Sequence, residues 1–469
     1  MKKHNHDYKT VHGSALVYAL IMVSIVAVLF TGVIQFITSH VRDGLNAESK
    51  EQSLHIAEAG VYFYRWYLAH QVEGLTAQQI FNFWQNGTPY GVGSPYEEDY
   101  ESIGRYSISV TPPVDYSTVV SAEVTGWTYS DPDIKRTIRV RFRRPSWSEF
   151  SVLANANIRF GDGTDVFGPI HSNGGVRFDG VAHNVVSSSQ ESYVDPDTGL
   201  TKPGVWTNWA GEYNSNMGSN VFLAGKDFPV PLQDFNGIAA DFALMKDAAL
   251  GGNGYFFDSD GQGRHIILHA DGTADISRVD SYDSSSYSII SESNTTSYEL
   301  PEWGVIYVQD NAWVEGVIDG KKLTIVAADS SAGQTPNIFI GNDITYTNYD
   351  GNDILGIAAE GDISTMRDSE DNLRIDAALL AQTGRVGRKY YGSYCILWKK
   401  GICKQEKWDT KDTITVYGAM ATNKRYGFAY TDGSGYVHRN LLYDNNLLYE
   451  APPYFPTGNA YAIDLWEEL

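Results

Sequence analysis

The N-terminal part of the chain carries two hydrophobic patterns that join without a break. From residue 15 to residue 37 there is no charged side chain, and a helix over this stretch would be about 34 Å long, enough to cross a bilayer. Apolar positions then alternate at spacings of three and four, which is typical of one packing face of a helix. These positions are Leu54, Ala57, Val61, Tyr64 and Leu68. Because no proline occurs before Pro89, the pattern predicts one helix over 14–70.

The pattern of residues 71–147 is that of a small α+β unit. The segment 75–87 has helical periodicity and ends on Asn-Gly, which stops a helix. Three segments then alternate apolar and polar residues, which predicts a three-stranded antiparallel meander. These segments are 104–114, 117–130 and 134–144. The proline-containing stretch 143–147 is the predicted domain boundary.

A different pattern covers residues 148–469. A loose motif in which aliphatic and small residues alternate starts at Val166, Val314, Ile375 and Val416. The interval from Val314 to Ile375 is close to three turns, and that from Ile375 to Val416 close to two turns, of a coil with about 20 residues per turn. Such a repeat predicts a parallel β-solenoid, in which short strands stack and small residues let the coil turn.

The region at about 187–302 breaks this rhythm and is predicted to be an insertion. It contains a predicted helix over 235–250, followed by segments typical of hairpins. Near the end of the chain, the Asp432-Gly433 pair predicts a further hairpin turn, and the proline-rich segment 449–456 is predicted to cover the open end of the solenoid. The predicted fold class is therefore mainly β with a long N-terminal α-helix.

Charge and composition narrow the classes of partner. The formal net charge of the 469-residue chain is −22, and no patch rich in Lys and Arg stands out. This argues against nucleic acid and anionic lipid as partners of the soluble part. The hydrophobic content of 42% is enough to build cores, and 31 Tyr, 11 Trp and 45 Gly residues resemble a secreted, turn-rich β protein.

The two cysteines, Cys395 and Cys403, flank a short loop with Lys-Lys-Gly at its tip. Paired, they would staple a hairpin in an oxidising compartment. The alternative is two unpaired buried thiols. Metal binding would need two more ligands, and no suitable His or Cys accompanies them.

The flanks of the apolar stretch set its predicted orientation. Lys2, Lys3 and Lys9 precede it, whereas residues of mixed sign follow it. The positive-inside rule therefore places the N-terminus in the cytoplasm and the bulk of the chain outside. A secretory signal has a shorter apolar core followed by a small-x-small cleavage site, which this stretch lacks.

The layout of this region resembles a class III prepilin signal. A short basic leader ends in Gly13, and a small residue and some twenty apolar residues follow and run into an amphipathic helix. The segment 52–66, QSLHIAEAGVYFYRW, is similar to the "AEAG" region of PilX-like minor pilins and related pseudopilins. The resemblance implies cleavage after Gly13 by a prepilin peptidase, Ser14 as the mature N-terminus and other pilin-like subunits as partners. The alternative is an uncleaved single-pass anchor.

One residue departs from the pattern of the major pilins. They carry Glu at the fifth mature position, where it is thought to neutralise the amine of a neighbouring subunit, and this chain has Tyr18 there. The departure favours a minor subunit at a filament tip, or an initiating subunit, over the bulk filament subunit.

The resemblance also sets the predicted domains. They are the leader 1–13, the transmembrane and amphipathic spine helix 14–70, the pilin-like α+β head 71–147, and the β-solenoid passenger 148–469 with its insertion at about 187–302. The passenger is similar to uncharacterised β-helix-like regions attached to pilin-type N-termini.

Parallel β-helices often degrade polysaccharides, so an enzyme is one alternative. The carboxylate motifs of polygalacturonase-type enzymes do not occur. A lyase-like cluster would draw on Asp162, Asp165 and Asp179 with Arg177 and His171. The alternative for these residues is that they form the corners and polar ladders of solenoid turns. The sequence therefore predicts no catalytic activity.

Calcium is the one metal that the acidic surface would favour. Asp258 and Asp260 resemble half of a calcium loop, but the acidic residue that should end such a loop is missing. Asp195 and Asp197 have the same weakness. Both pairs are predicted to be turns, and no cofactor is predicted.

The remaining candidates for ligand binding are aromatic residues in the predicted insertion. Trp206, Trp209 and Tyr213 lie in one Gly-flanked segment. Exposed aromatic rings stack on sugars and anchor protein partners. The alternative is that they pack the insertion against the solenoid.

The leading functional hypothesis is a minor, tip-like type IV pilus or pseudopilus subunit that displays a β-helix domain for adhesion or filament initiation. Its partners would be other pilin-like subunits, the membrane and a surface glycan or protein, but not nucleic acid. It would reside in the inner or cytoplasmic membrane and reach the cell surface or a pilus after assembly. The alternatives are a membrane-tethered enzyme acting on polysaccharide and a passive structural protein of the cell envelope.

Overall fold

The structure is a computed structural model, and it is mainly β, with 43% strand and 20% helix, a long N-terminal helix and parallel sheets. The described residues are 14–72, 75, 77–113, 117–235, 238–329, 333–391, 410–458 and 461–469. The helices are α1 Ser14–Val72, α2 Ala77–Gln85 and α3 Ile238–Leu250, with single 3₁₀ turns at Trp147–Glu149, Ala210–Glu212 and Asn445–Leu448.

The strands fall into two groups. The first group is β1 Tyr96–Tyr100, β2 Gly104–Thr111, β3 Val119–Thr128 and β4 Lys135–Arg143. The strands that follow in chain order are β5 Val152–Ala154, β6 Ile158–Phe160, β7 Thr164–Val166, β8 Ile170–Ser172, β9 Val176–Phe178, β10 Val181–Ala182, β11 Val186–Ser188, β12 Ser192–Val194, β13 Thr201–Pro203, β14 Val205–Trp206, β15 Tyr213–Asn214, β16 Ser219–Asn220, β17 Lys226–Asp227, β18 Gly254–Phe257, β19 Gly263–Leu268, β20 Thr273–Tyr282, β21 Ile289–Glu299, β22 Trp303–Val308, β23 Asn311–Ile318, β24 Lys322–Ala327, β25 Ile338–Ile340, β26 Ile344–Tyr346, β27 Ile354–Ala359, β28 Ile363–Thr365, β29 Asn372–Ala381, β30 Val386–Arg388, β31 Thr410–Thr422, β32 Gly435–Tyr443 and β33 Ala462–Glu468.

The first four strands form an antiparallel meander. β1 pairs with β2, β2 with β3, and β3 with β4. The predicted meander corresponds to β2, β3 and β4, along which more buried and more exposed residues alternate because one face of the sheet carries a core. The sequence did not predict β1.

The fifth strand of this sheet comes from the other end of the chain. β33 pairs antiparallel with β4, with Ile463 opposite Phe142 and Trp466 opposite Val140. The predicted boundaries assign 462–468 to the passenger, whereas the structure places these residues in the sheet of the first unit. We call this five-stranded sheet, α2 and the part of α1 packed on it the head.

The described residues between 147 and 458 form the second unit, which we call the β domain. Parallel strands stack in three rows around a buried core rich in Ile, Val, Leu and Ala. The first row is β18, β22, β24, β27, β29, β31, β5, β8, β11 and β17. The second row is β19, β23, β26, β29, β31, β32, β7 and β10. The third row is interrupted, with β25, β28 and β30 on one side and β6, β9 and β14 on the other.

The order of strands in these rows differs from the order in the chain. The chain starts its first row at β5, proceeds to β17, and resumes at β18 at the opposite end of the row. It then returns through successive strands until β31 and β32 stack on β5 and β7. We call this contact between the last and first strands of the β domain the seam.

The sequence motif marks a real column of side chains. Ile375 pairs with Ile344 and Val416, Val416 with Leu441, and Leu441 with Val166. Three of the four motif starts therefore share one register, although two unpredicted residues stand in the same column.

The region predicted as an insertion contributes strands to the stack. β18 and β19 pair in parallel with β22 and β23, so residues 254–268 belong to the rows. The predicted hairpins are present, because β19, β20 and β21 are antiparallel neighbours. The predicted helix is α3, whose Phe242 and Met245 pack in a cluster with Tyr307.

Candidate functional site

The first half of α1, residues 14–48, presents its apolar side chains to the surroundings. Tyr18, Val28 and Phe30 are 68%, 72% and 64% exposed. In the described part of the chain, α1 is the one helix long and apolar enough to cross a membrane, and none of its most apolar window is buried. This half is an exposed apolar surface of the kind that contacts lipid or another protein.

Three hydroxyl groups in this half are satisfied within the helix. The hydroxyls of Ser24, Thr31 and Thr38 each donate to the carbonyl oxygen four residues earlier, at 2.8 Å. An unpaired hydroxyl would be costly in hydrocarbon, and such bonds to the preceding turn remove that cost. The exposed half is therefore compatible with an apolar surrounding at these three polar positions.

The second half of α1 is fixed to the head sheet. Ala57, Val61, Tyr64 and Leu68 are fully buried, and Leu54 is half-buried, so the predicted packing face is confirmed. These side chains lie in one core with the inward residues of β2, β3 and β4. Tertiary packing therefore stabilises this half and not the first.

A glycine lets the helix approach the sheet closely. A Cβ atom on Gly126 of β3 would lie 2.4 Å from the Ser53 carbonyl oxygen and 2.5 Å from the Ala57 nitrogen. The first polar contacts are nearby, where Ser49 Oγ donates to Asp131 Oδ2 at 2.6 Å and Ser53 Oγ donates to the Ile134 carbonyl at 2.8 Å. The helix is therefore anchored from Ser49 onward, and some 50 Å of it extends beyond the sheet.

The β domain is connected to the head at two adjacent points, which we call the joint. The chain leaves the head after β4 and returns before β33, and these two strands are neighbours. The two crossing segments bond to each other, since Trp147 N donates to Pro456 O at 3.1 Å and Gly458 N donates to Pro145 O at 2.7 Å. The β domain is thus inserted between two neighbouring strands of one sheet.

Ion pairs reinforce the joint. Asp464 accepts from Arg141 Nε at 2.8 Å and from Arg143 Nε at 3.1 Å, and Arg143 also pairs with Glu149. Burial lowers the pKa of the Arg143 guanidinium, but Glu149 and Asp464 outweigh that effect and raise it above its ordinary value. Arg143 therefore stays charged and bridges the two chain segments.

The joint was not predicted from the sequence, although the charges of the two strands indicate that they pair. Four arginines occur along β4, at positions 136, 139, 141 and 143, and the last strand is acidic. Arg139 pairs with Glu467 at 3.4 Å, and Arg136 pairs with Glu468. This complementarity of charge between distant segments would have indicated that they are neighbours.

Two of the three predicted ligand-binding aromatics point inward. Trp206 is 7% exposed and its Nε1 donates to Tyr193 Oη at 2.9 Å. Trp209 is half-buried against the core, and its Nε1 donates to the Asp179 carbonyl at 2.6 Å. Only Tyr213 is exposed, at 48%. The arrangement favours the alternative that these tryptophans pack the segment against the stack.

The carboxylates of the lyase-like candidate set lie in separate interactions. Asp179 pairs with Arg177 at 2.8 Å, and Asp165 pairs with His183 at 3.1 Å. Asp162 Oδ2 accepts from Asn216 Nδ2 at 2.5 Å. These contacts give each carboxylate its own partner and suit the alternative in which they stabilise turns.

His171 of the same set is buried between polar neighbours. Its Nδ1 lies 3.1 Å from Ser187 Oγ and its Nε2 lies 3.2 Å from Asn173 Oδ1. Burial lowers the pKa of His171 below its ordinary value of 6.5, against the opposing effect of the bond to Asn173. A neutral imidazole in a row of polar residues matches the predicted polar ladder.

Of the calcium candidates, Asp260 lies in an ion pair and Asp195 in a turn. Asp260 lies 3.3 Å from Arg278 Nε, and Asp195 Oδ1 accepts from the backbone nitrogens of Asp197 and Thr198. Among the described residues there is no group of three or more His, Cys, Asp or Glu side chains that could hold a metal ion.

Three predicted residues lie outside the described residues: Gly13, Cys395 and Cys403. The predicted cleavage and the predicted disulfide therefore stay predictions. Ser14 is the first residue of α1.

No protein-family model matches the chain, and no curated protein matches it. Among solved structures, the chain is similar to the crystal structure of the competence-associated pilin ComZ from Thermus thermophilus. The TM-score is 0.31 and the sequence identity 13%, over 90% of this chain and 97% of that chain. A likeness at this level establishes neither a family nor a shared fold.

Proposed function

We propose that the chain is a minor, tip-like subunit of a type IV pilus or pseudopilus that displays the β domain outside the cell for adhesion. The observation that carries this proposal is the contrast within α1. One continuous helix has a free apolar half and a second half that packs on an antiparallel sheet. This is the arrangement that the prepilin-like leader and the "AEAG" segment imply.

The N-terminal half would serve in two environments. Before assembly it would hold the subunit in the inner or cytoplasmic membrane with its N-terminus in the cytoplasm. After assembly the same apolar side chains would pack against the helices of other pilin-like subunits. Tyr18, where a major pilin has Glu, leaves the fifth mature position without an acidic partner for a neighbouring amine, which suits a subunit that starts or ends a filament.

The β domain would be a parallel β-solenoid displayed by the head. Support comes from the rows of parallel strands and from the shared register of the motif residues Ile375, Val416 and Val166. A body of this size would clash sideways within a filament, which favours a position at the tip. Because the predicted carboxylates lie in separate ion pairs and turns, we propose a structural and adhesive role rather than an enzymatic one.

Immunogold electron microscopy of sheared surface filaments would test the proposed role. An antibody against the β domain should label filament ends, and a strain lacking the chain should show no label. Label spread along filaments would contradict a tip position. Recovery of the chain only in the membrane fraction would instead support the uncleaved anchor.

A further inference from the structure

The third row of the β domain is open at the seam. On one side Arg388 N donates to the Gly427 carbonyl at 2.7 Å, so Gly427 continues the row from β30. On the other side the next strand is β6, and no strand pairing between described residues joins it to Gly427. A groove of about 350 Å³ lies there, within the size range of small-ligand sites.

The groove is lined in part by bare backbone. A Cβ atom on Gly427 would have nothing within 4 Å, so the open side of this residue faces free space. Gly161 is similarly open, with only Arg439 Nη2 within 4 Å of such an atom. Tyr430 also lines the groove, and its hydroxyl is engaged by Arg385 Nη2 and the Arg388 carbonyl. Such a surface would let a sugar ring lie close to backbone and aromatic groups.

The lining is locally basic in a chain of net charge −22. Three arginines line it, Arg159, Arg425 and Arg439, against the lining carboxylate Asp162 and the adjacent Asp197, which pairs with two of them. Arg439 is fully engaged, because it donates to Thr164 Oγ1 at 3.0 Å and to three carbonyl oxygens, those of Tyr436, Val437 and Asp162. Arg439 therefore holds the seam together, and the other two arginines are the candidates for a ligand.

Arg425 retains unused donors, whereas the donors of Arg159 are paired with carboxylates or buried. Both approach Asp197, with Arg159 Nη1 at 3.1 Å and Arg425 Nη1 at 3.5 Å. The Arg425 side chain is 42% exposed, whereas Arg159 Nη2 lies 3.5 Å from Asp179 Oδ2 and its Nε is buried. A planar guanidinium with free donors matches a carboxylate, which it binds through two parallel hydrogen bonds.

We propose that this groove binds acidic glycans, with the carboxylate of a uronic-acid type sugar on Arg425 and the sugar ring over Gly427. The proposal rests on the proposed adhesive function and names its ligand class. The local positive charge matters because the rest of the acidic surface repels such a polymer.

Titration calorimetry on the full chain in detergent micelles would test the proposal, with oligogalacturonate as the probe. Arg425→Gln should weaken binding about tenfold by removing a charge-assisted contact. Gly427→Leu should abolish binding by filling the groove, whereas Gly427→Ala should weaken it less. Arg65→Gln, on the exposed face of α1, is the matched control and should bind as the unaltered chain does. The thermal midpoint of each variant checks its folding.

Binding that both groove variants reduce, and that falls with added salt, would support the proposal. Absence of oligogalacturonate binding would overturn it, as would equal binding by Gly427→Leu or by a neutral maltooligosaccharide. Tighter binding of a sulfated oligosaccharide would overturn the assignment to carboxylated sugars. Each of these failures would leave the pilin-like role standing, since that role depends on α1 and on processing at Ser14.

Discussion

The two halves of α1 have the same helical geometry and opposite surroundings. In residues 14–48 apolar side chains such as Leu29 and Ile34 are more than half exposed, whereas Ile56 and Leu68 in the second half are buried against the head sheet. The first half would be stabilised by an environment outside the chain, and the second by the chain itself. The properties of the first half depend on its length and apolar composition, whereas those of the second half depend on specific contacts with the head sheet.

The largest expected effect comes from the tightest contact of the second half. Gly126→Val would place side-chain atoms against the backbone of α1 at Ser53 and Ala57, and we expect a loss of about 3 kcal/mol or more in the free energy of unfolding of the head. Thermal unfolding followed by tryptophan fluorescence would measure it. Gly32→Val, with nothing within 4 Å, is the control and should leave the midpoint unchanged. Equal midpoints for the two variants would contradict the claim that close contacts stabilise the second half of α1 and not the first.

A charge in the first half should act on membrane insertion and not on folding of the head. Val28→Asp places a carboxylate in the apolar stretch, at a cost of about 3 kcal/mol if this half crosses a bilayer. The fraction of chain resistant to carbonate extraction should fall. Lys50→Asp, beyond the apolar stretch, is the control and should remain resistant. Full resistance of Val28→Asp would show that the first half does not lie in the membrane.

The ion pairs of the joint can be compared in the same way with an exposed ion pair on the head sheet. Asp464→Asn would remove the charge that holds Arg141 and Arg143, and because Asp464 is 16% exposed we expect a loss of about 2 kcal/mol in stability. Glu123→Gln, whose partner Arg139 is 2.9 Å away on the exposed face, should cost less than about 0.5 kcal/mol. Urea denaturation of both variants would measure the difference, and similar midpoints would mean that the joint is no stronger than a surface pair.

The smallest expected effect is a pH dependence in the β domain. Burial lowers the pKa of His265, but hydrogen bonds to Glu315 and Glu292 outweigh it and raise the pKa above 6.5. The protonated form therefore contributes stability that is fully present below pH 6.5 and is lost as the pH rises through the raised pKa.

His265→Asn should accordingly lower stability by less than about 1 kcal/mol near pH 5.5, with a smaller loss near pH 8.5. Thermal midpoints at the two pH values would measure this, with the exposed His438→Asn as control. A loss that grows with pH would contradict the sign derived from these contacts.

Features with a local pattern were predictable from the sequence. The period of Ala57, Val61, Tyr64 and Leu68 gave the packing face of α1, and alternation gave β2 to β4. The motif starting at Ile375 and Val416 gave the register of one column. In each case neighbours in sequence carry the signal, because the period belongs to a single helix, strand or coil.

Contacts between distant segments were not predictable in the same way. The pairing of β4 with β33 and the seam between β32 and β7 join residues far apart in the chain. Periodicity identifies a strand but does not identify the distant strand that becomes its neighbour. The inward position of Trp206 and Trp209 was also undecided, because a Gly-flanked aromatic suits both a binding surface and a core. Only the acidic composition of β33 opposite the arginines of β4 carried a hint of the long-range partner.

The mass of the N-terminal peptide from natively produced protein tests the central claim most directly. If the first half of α1 is the assembly segment of a pilin-like subunit, mass spectrometry of the purified chain should find a peptide that begins at Ser14. A chain that begins at Met1 would contradict this account and would leave α1 as an uncleaved anchor.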